Sequence, residues 1–159
     1  MPAIALFVGL LLASGSAHAD FTGRVVRVHN GDTLTVLASG RHVRVRLDNI
    51  DAPELAQPFG KEARKSLADL CAGKEASVRE TGSRSSLRLG WVTCADVDVN
   101  SEQVRRGMAW VFAQHVPVGS SLYELETYAR LRGIGLWSAA DPQAPWEWRA
   151  ERRKAKSAK

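Results

Sequence analysis

Among the charged residues between positions 32 and 54, the carboxylates Asp32, Asp51 and Glu54 and the guanidinium groups Arg44 and Arg46 could do chemistry together. Like charges held together cost free energy unless a cation offsets them. A set of oxygen ligands suits a hard cation, Ca2+ or Mg2+. Guanidinium groups beside such carboxylates would clamp an oxyanion, so the set contains the parts that phosphoryl transfer requires. The same residue types also decorate solvated strand faces, so the elements that carry them decide between the two readings.

Those elements read as follows. Residues 22–29 are β-branched with polar flanks and predict a strand. Asn30-Gly31 then predicts a type I′ hairpin turn, because both residues tolerate positive φ. Residues 32–38 form the return strand, and Ser39-Gly40 the next turn. Residues 42–49 alternate, with Val43, Val45 and Leu47 on one face and Arg44, Arg46 and Asp48 on the other. In this antiparallel meander the end holding Asp32 and the end leading to Asp51 and Glu54 would converge. Pro53 stops the strand pattern. Residues 60–72 space Ala63, Leu67, Leu70 and Cys71 as a helix, stopped by Gly73. Residues 76–80 and 87–94 predict a second hairpin around a loop at 81–86. Asn100, with Gln103 three residues on, predicts a helix cap, and Ser121 with Glu124 a second one opening a helix over 122–132. Five short strands, a helix after the third and helices at the end imply an α+β chain with a mainly β core. The architecture is a five-stranded OB-like barrel with about three helices, a form that commonly holds oligonucleotides.

Composition narrows the partners. The chain has 159 residues and net charge +5, with 16 arginines against 6 lysines, a length that suits one domain. Arginine is the better fork for phosphate oxygens. Nucleic acid, anionic lipid and acidic glycan all remain open on charge alone. No apolar run reaches the ~20 residues that cross a bilayer. Residues 3–13 have the length of a signal h-region, and Ala17-His18-Ala19 has a small-x-small cleavage pattern. This segment, residues 1–19, implies a secreted or periplasmic protein whose mature domain spans 20–148. Residues 149–159 read as a basic, mobile extension, more a solvated tail than a grip on nucleic acid. Cys71 and Cys94 lack metal-ligand spacing; they form one disulfide or stay as two buried thiols, and the second hairpin favours the bridge by bringing them opposite one another.

The stretch Gly31-Asp32-Thr33-Leu34, then Arg46-Leu47, then Ile50-Asp51-Ala52-Pro53-Glu54 resembles the signature of the staphylococcal nuclease-like (thermonuclease) family. Later segments are similar too, among them Asp98-Val99-Asn100, Gly107-Met108-Ala109-Trp110, Gly135-Leu136-Trp137 and Pro145-Trp146-Glu147-Trp148-Arg149. The likeness covers nearly all of the mature chain. It implies a Ca2+-dependent phosphodiesterase acting on DNA and RNA in an OB-fold. Separately, nothing in the sequence calls for a membrane, an obligate protein partner or more than a monomer. On that resemblance Asp32, Asp51 and the Ala52 carbonyl would hold calcium. Glu54 would be the general base, and Arg46 would hold the scissile phosphate. The 5′ oxygen would leave, giving 3′-phosphate ends.

The sequence departs from the family at a second phosphate-binding arginine. Leu87 falls where that arginine belongs, and Arg88 stands one residue late, a slip that turns a strand side chain to the opposite face. A bulge near Leu87 would restore Arg88, which is the favoured replacement; Arg84 could reach in from the loop instead. Asn30 replaces an aspartate, and Ala113 and His115 stand where the family stacks or clamps the nucleotide. Of the five tryptophans, Trp110 and Trp137 read as core. Two rival readings follow: a catalytically weakened OB-fold module that only binds nucleic acid, and an exported cationic protein that adheres to polyanions.

Overall fold

The computed structural model describes residues 20–112, 114 and 116–158; residues 1–19, where the sequence leads one to expect an export signal, and Ala113 and His115 lie outside them. Five strands close a barrel: β1 (Phe21–Val28), β2 (Thr33–Ala38), β3 (Arg41–Leu47), β5 (Glu75–Arg84) and β6 (Leu87–Cys94). They pair antiparallel in the order β3-β2-β1-β5-β6, and a parallel β3–β6 pairing closes the ring. Closure removes the open edges that a five-stranded sheet would otherwise expose. Alternate residues point inward, so Val25, Leu34, Val36, Val45, Leu47, Val78 and Val92 fill the interior and are almost wholly buried.

Short strands β4 (Ile50–Asp51), β7 (Val97–Asp98) and β8 (Trp110–Val111) and four helices complete the α+β fold: α1 (Gly60–Cys71), α2 (Val99–Arg105), α3 (Ser121–Leu131) and α4 (Pro145–Ser157). Helix α1 buries Ala63, Leu67, Leu70 and Cys71, the face its spacing predicts. Cys71 is bonded to Cys94, tying the end of α1 to the end of β6. A second cluster lies under α4. Trp110, Leu136 and Ala144 are buried there, packed with Phe59, Trp137 and Trp146. Among the described residues no helix is long and apolar enough to cross a membrane.

Three local expectations are corrected. Neither Asn30 nor Gly31 adopts positive φ; the type I′ conformation belongs to Ser39-Gly40, with φ of 46° and 75°. Asn30 instead closes an Asx turn, its Oδ1 accepting from the Asp32 amide at 3.2 Å. Gly31 is required for space, since a Cβ there would lie 2.6–2.7 Å from the Cβ atoms of Ala63 and Ala52. The cap of α2 is Asp98, which accepts from the Ser101 amide. Asn100 is fully buried and pins strands instead, accepting from the Val92 amide and donating to the carbonyls of Asp48 and Gly90. The α3 cap is Ser120, one residue before the expected Ser121. Two of these misses share a cause: burial of Gly31 and Asn100 in the barrel outbids a local turn or capping preference.

Candidate active site

The acidic residues are brought together by the turn before β2 and the strand after β3. The Leu47 amide donates to the Asp32 carbonyl at 2.8 Å, which holds the start of β2 against the end of β3. Asn49, at a φ of 66°, then reverses the chain into β4. Strand β4 pairs with β8, Asp51 opposite Trp110. The loop beyond is fixed by Gln57, whose amide donates to the Glu54 carbonyl and whose Oε1 accepts from the Glu54 amide. Gly60 lets α1 start directly against this loop, because a Cβ there would run into the Glu54 carbonyl.

Asp32 and Asp51 are 2% and 1% exposed. Arg46 reaches both: its Nη2 lies 3.3 Å from Asp32 Oδ2 and 2.8 Å from Asp51 Oδ1. Two buried carboxylates therefore converge on one point. Thr33 Oγ1 donates to Asp32 Oδ1 at 2.7 Å, and the Ala52 amide donates to Asp32 Oδ2 at 3.2 Å. Burial raises the Asp32 carboxyl above its ordinary value, against the lowering pull of Arg46 and the Thr33 hydroxyl, and Asp51 adds to the rise.

The fifth participant comes from the far end of the chain. Arg149, in α4, donates from Nη2 to Asp51 Oδ2 at 2.6 Å and from Nη1 to Asp51 Oδ1 at 3.2 Å. The same Nη1 donates to Glu54 Oε1 at 2.9 Å. This planar fork bridges Asp51 to Glu54, as a guanidinium does best. Its own pKa is raised, first by the Asp51 hydrogen bonds, while its partial burial works against them and Glu54 reinforces them. The sequence offered Arg149 as the last residue of a family-like segment and the first of a basic tail, and in neither place as a site residue. What locates it is apolar: Ala144 is buried, Trp146 stacks obliquely on Phe112 at 5.7 Å, and Pro145 opens the helix. The signal was present in the Pro145-Trp146 pair, which starts a helix and anchors it.

Arg88 is not brought to this cluster. Across the β3–β6 ladder Leu87 stands beside Arg44 and Leu89 beside Arg46, whereas Arg88 stands beside inward-facing Val45. Its guanidinium pairs with Glu80 at 2.9 Å. The irregularity of this hairpin falls in β5, between Glu80 and Gly82, so the one-residue slip at Leu87 is not undone. Arg84 lies at the hairpin tip, opposite Leu87.

The calcium expectation rests on Asp32, Asp51 and the Ala52 carbonyl. Their chemistry fits a hard cation, since the donors are carboxylate and carbonyl oxygens and the two acids share one focus. Among the described residues no group of three or more His, Cys, Asp or Glu could hold a metal ion, so the remaining ligands would be carbonyl oxygen and water. Guanidinium groups of Arg46 and Arg149 supply the positive charge at that focus in this structure.

A closed five-stranded barrel carrying acids and arginines at one rim defines a class, the OB-fold proteins with a charged site at the barrel mouth. The comparisons with known proteins narrow it. The staphylococcal nuclease homologue family matches residues 44–139. The chain is 39% identical over 157 residues to a micrococcal nuclease of Shigella flexneri, covering 92% of this chain and 90% of that one. It is 44% identical over 133 residues to an uncharacterized endonuclease of Escherichia coli O157:H7, covering 82% and 86%. A staphylococcal-like nuclease CAN1 of Arabidopsis thaliana shares 31% over 131 residues, with 82% of this chain but 39% of that longer one. The chain belongs to the staphylococcal nuclease family.

Proposed function

We propose that this protein is a nuclease that hydrolyses phosphodiester bonds of DNA and RNA with Glu54 as general base. The observation that carries the reading is the convergence of Asp32, Asp51, Arg46 and Glu54 at one barrel rim, bridged by Arg149. Glu54 is 37% exposed in its side chain, accessible to a water yet tied to the buried acids through one guanidinium. In the reaction Glu54 takes a proton from that water as its oxygen bonds to phosphorus. The bond to the 5′ oxygen breaks, leaving a 3′-phosphate, and the 5′ oxygen gains a proton from solvent. A positioned base of this kind contributes about 10²–10⁴-fold.

Arg46 and Arg149 hold the phosphate. Both are about one-third exposed and are paired to carboxylates, so an incoming phosphate can take over donors that now serve Asp51 and Glu54. Release of Glu54 from Arg149 frees it to act as a base. Arg149 thereby fills the role for which the sequence offered Arg88. A calcium ion, when bound by Asp32, Asp51 and the Ala52 carbonyl, would neutralise charge on the phosphoryl oxygens. Export of the protein is supported by the Cys71–Cys94 bridge, which suits an oxidising compartment.

The test is digestion of single-stranded DNA and of RNA by the purified chain, with and without chelator. The expected result is cleavage to 3′-phosphate ends that chelator stops. Cleavage at full rate in excess chelator removes calcium. Tight binding without any cleavage would instead favour the binding-module reading, which the displaced arginine at Leu87 supports.

A further inference from the structure

The α4 residues beyond Arg149 are not needed for the chemistry above, yet they form one surface. Arg149, Arg152, Arg153 and Lys156 fall at the i, i+3, i+4, i+7 spacing that aligns side chains along one helix face. They line one wall of a groove of about 780 Å³. The opposite wall is a cross-strand row: Arg27 on β1 pairs with Thr35 on β2, and Thr35 with Arg44 on β3. Among the described residues lining this groove, Glu54 is the single acid. The two walls are basic and the reactive carboxylate stands between them.

Such a concentration of like charge within the fold costs free energy, and burial together with Arg44, Arg27 and Arg64 lowers the His29 imidazole in the same groove. The acidic residues of α4 point elsewhere: Glu147 and Glu151 line a separate pocket with Asp141. The helix is therefore polarised, basic toward the groove and acidic away from it. Its basic face runs about 10 Å from Arg149 to Lys156 at ~1.5 Å per residue, against ~3.4 Å per phosphate along one strand of a duplex. Trp148 also lines the groove, with the Arg152 guanidinium 5.4 Å from its ring centre, a surface on which a base can stack.

We propose that α4 and the Arg27–Arg44 row form a subsite that binds the phosphates of a polynucleotide flanking the bond held at Arg46 and Arg149. The subsite rests on the nuclease reading for its substrate class, and it extends that site to a strand of several nucleotides. Charge complementarity selects the occupant. Phosphates repeat along a strand as the basic residues repeat along the helix, and the groove has depth and an aromatic wall, which a flat anionic lipid surface would not use.

The test is binding, measured in chelator so that hydrolysis does not intervene. Fluorescence anisotropy of a labelled 12-nucleotide single strand is followed over a salt series for the full chain and for Arg152→Ala/Arg153→Ala/Lys156→Ala. Each phosphate contact contributes a slope of about −0.7 in log affinity against log salt, so the triple variant is expected to be shallower by about 2. A matched loss of three charges elsewhere, Lys65→Ala/Arg105→Ala/Arg132→Ala, should keep the slope. Arg152→Lys/Arg153→Lys should also keep it. An unchanged slope in the α4 variant, or an equal fall in the matched variant, overturns the subsite. So does an unchanged slope combined with lost retention on vesicles rich in anionic lipid, which would assign the helix to a membrane surface. A chain that binds the strand with the expected slopes but cleaves nothing when assayed with calcium keeps the subsite and removes the nuclease reading.

Discussion

The tip of the β5–β6 hairpin and the first turns of α4 each offer a guanidinium to the same rim, and only one delivers it. Arg88 is nearer in sequence to the acids and sits on a barrel strand. Its side-chain direction is fixed by strand parity, which places it with Val45 and against Glu80. Arg149 follows Asp51 by 98 residues, yet it makes three hydrogen bonds to Asp51 and Glu54. A strand residue one place out of register has no small correction available. A helix docked by its own apolar residues can rotate or slide until a long side chain reaches its target. The position of this charge is set by apolar packing, here by Ala144 and Trp146, more than by sequence distance.

Substitutions separate the two arginines. The largest effect expected is on Glu54, the carboxylate that Arg149 touches and Arg88 does not. Glu54→Gln should lower kcat by about 10²–10⁴ while oligonucleotide binding persists, measured by single-turnover cleavage beside anisotropy. A kcat within threefold of the parent would remove Glu54 as base, and with it the reason Arg149 matters. Next comes the fold that carries both regions. Cys71→Ala/Cys94→Ala opens the link between α1 and β6 and should cost about 2–5 kcal/mol in denaturant unfolding. Activity per folded molecule should stay, which separates loss of stability from loss of the site.

The smallest effect belongs to α2, whose Glu102 touches neither Arg88 nor Arg149. Glu102 is held at about 2, first by the Arg105 hydrogen bonds, against its burial and with help from Arg106. A lowered carboxylate stabilises the fold above its ordinary 4.5, and the benefit is lost as the pH falls through about 2. Glu102→Gln should therefore cost about 1 kcal/mol at neutral pH. The gap to the parent should close in unfolding curves taken between pH 4.5 and 2. A gap that stayed constant over that range would show that packing, not charge, supplied it.

Much of this was legible in the sequence, for a physical reason. Asp32, Arg46, Asp51 and Glu54 lie on one meander, where alternation and short turns dictate which ends meet, so the rim follows from period-2 patterning. The barrel follows from the same alternation. The Asn30-Gly31 turn and the Asn100 cap were misplaced because their local preferences are weak, about 1 kcal/mol. Burial against Ala52 and Ala63, or between Val92 and Asp48, outweighs them. The basic run after Trp148 looked like a solvated tail because its composition is a tail's composition. Only the helical spacing of Arg149, Arg152, Arg153 and Lys156, joined to the Pro145-Trp146 start, carries the contrary message. Where α4 lands depends on contacts with Phe112 and the Trp110 cluster, which no local pattern encodes.

On this reading Arg149, supplied by α4, is the second phosphate clamp, and Arg88 is a structural partner of Glu80. Steady-state cleavage of a single-stranded oligonucleotide by Arg149→Ala and by Arg88→Ala, at saturating substrate, tests it most directly. The expected result is that kcat falls by about 10²–10³ for Arg149→Ala, the cost of one lost transition-state donor, and is unchanged for Arg88→Ala. The reverse order, a crippled Arg88→Ala beside a fully active Arg149→Ala, would contradict it.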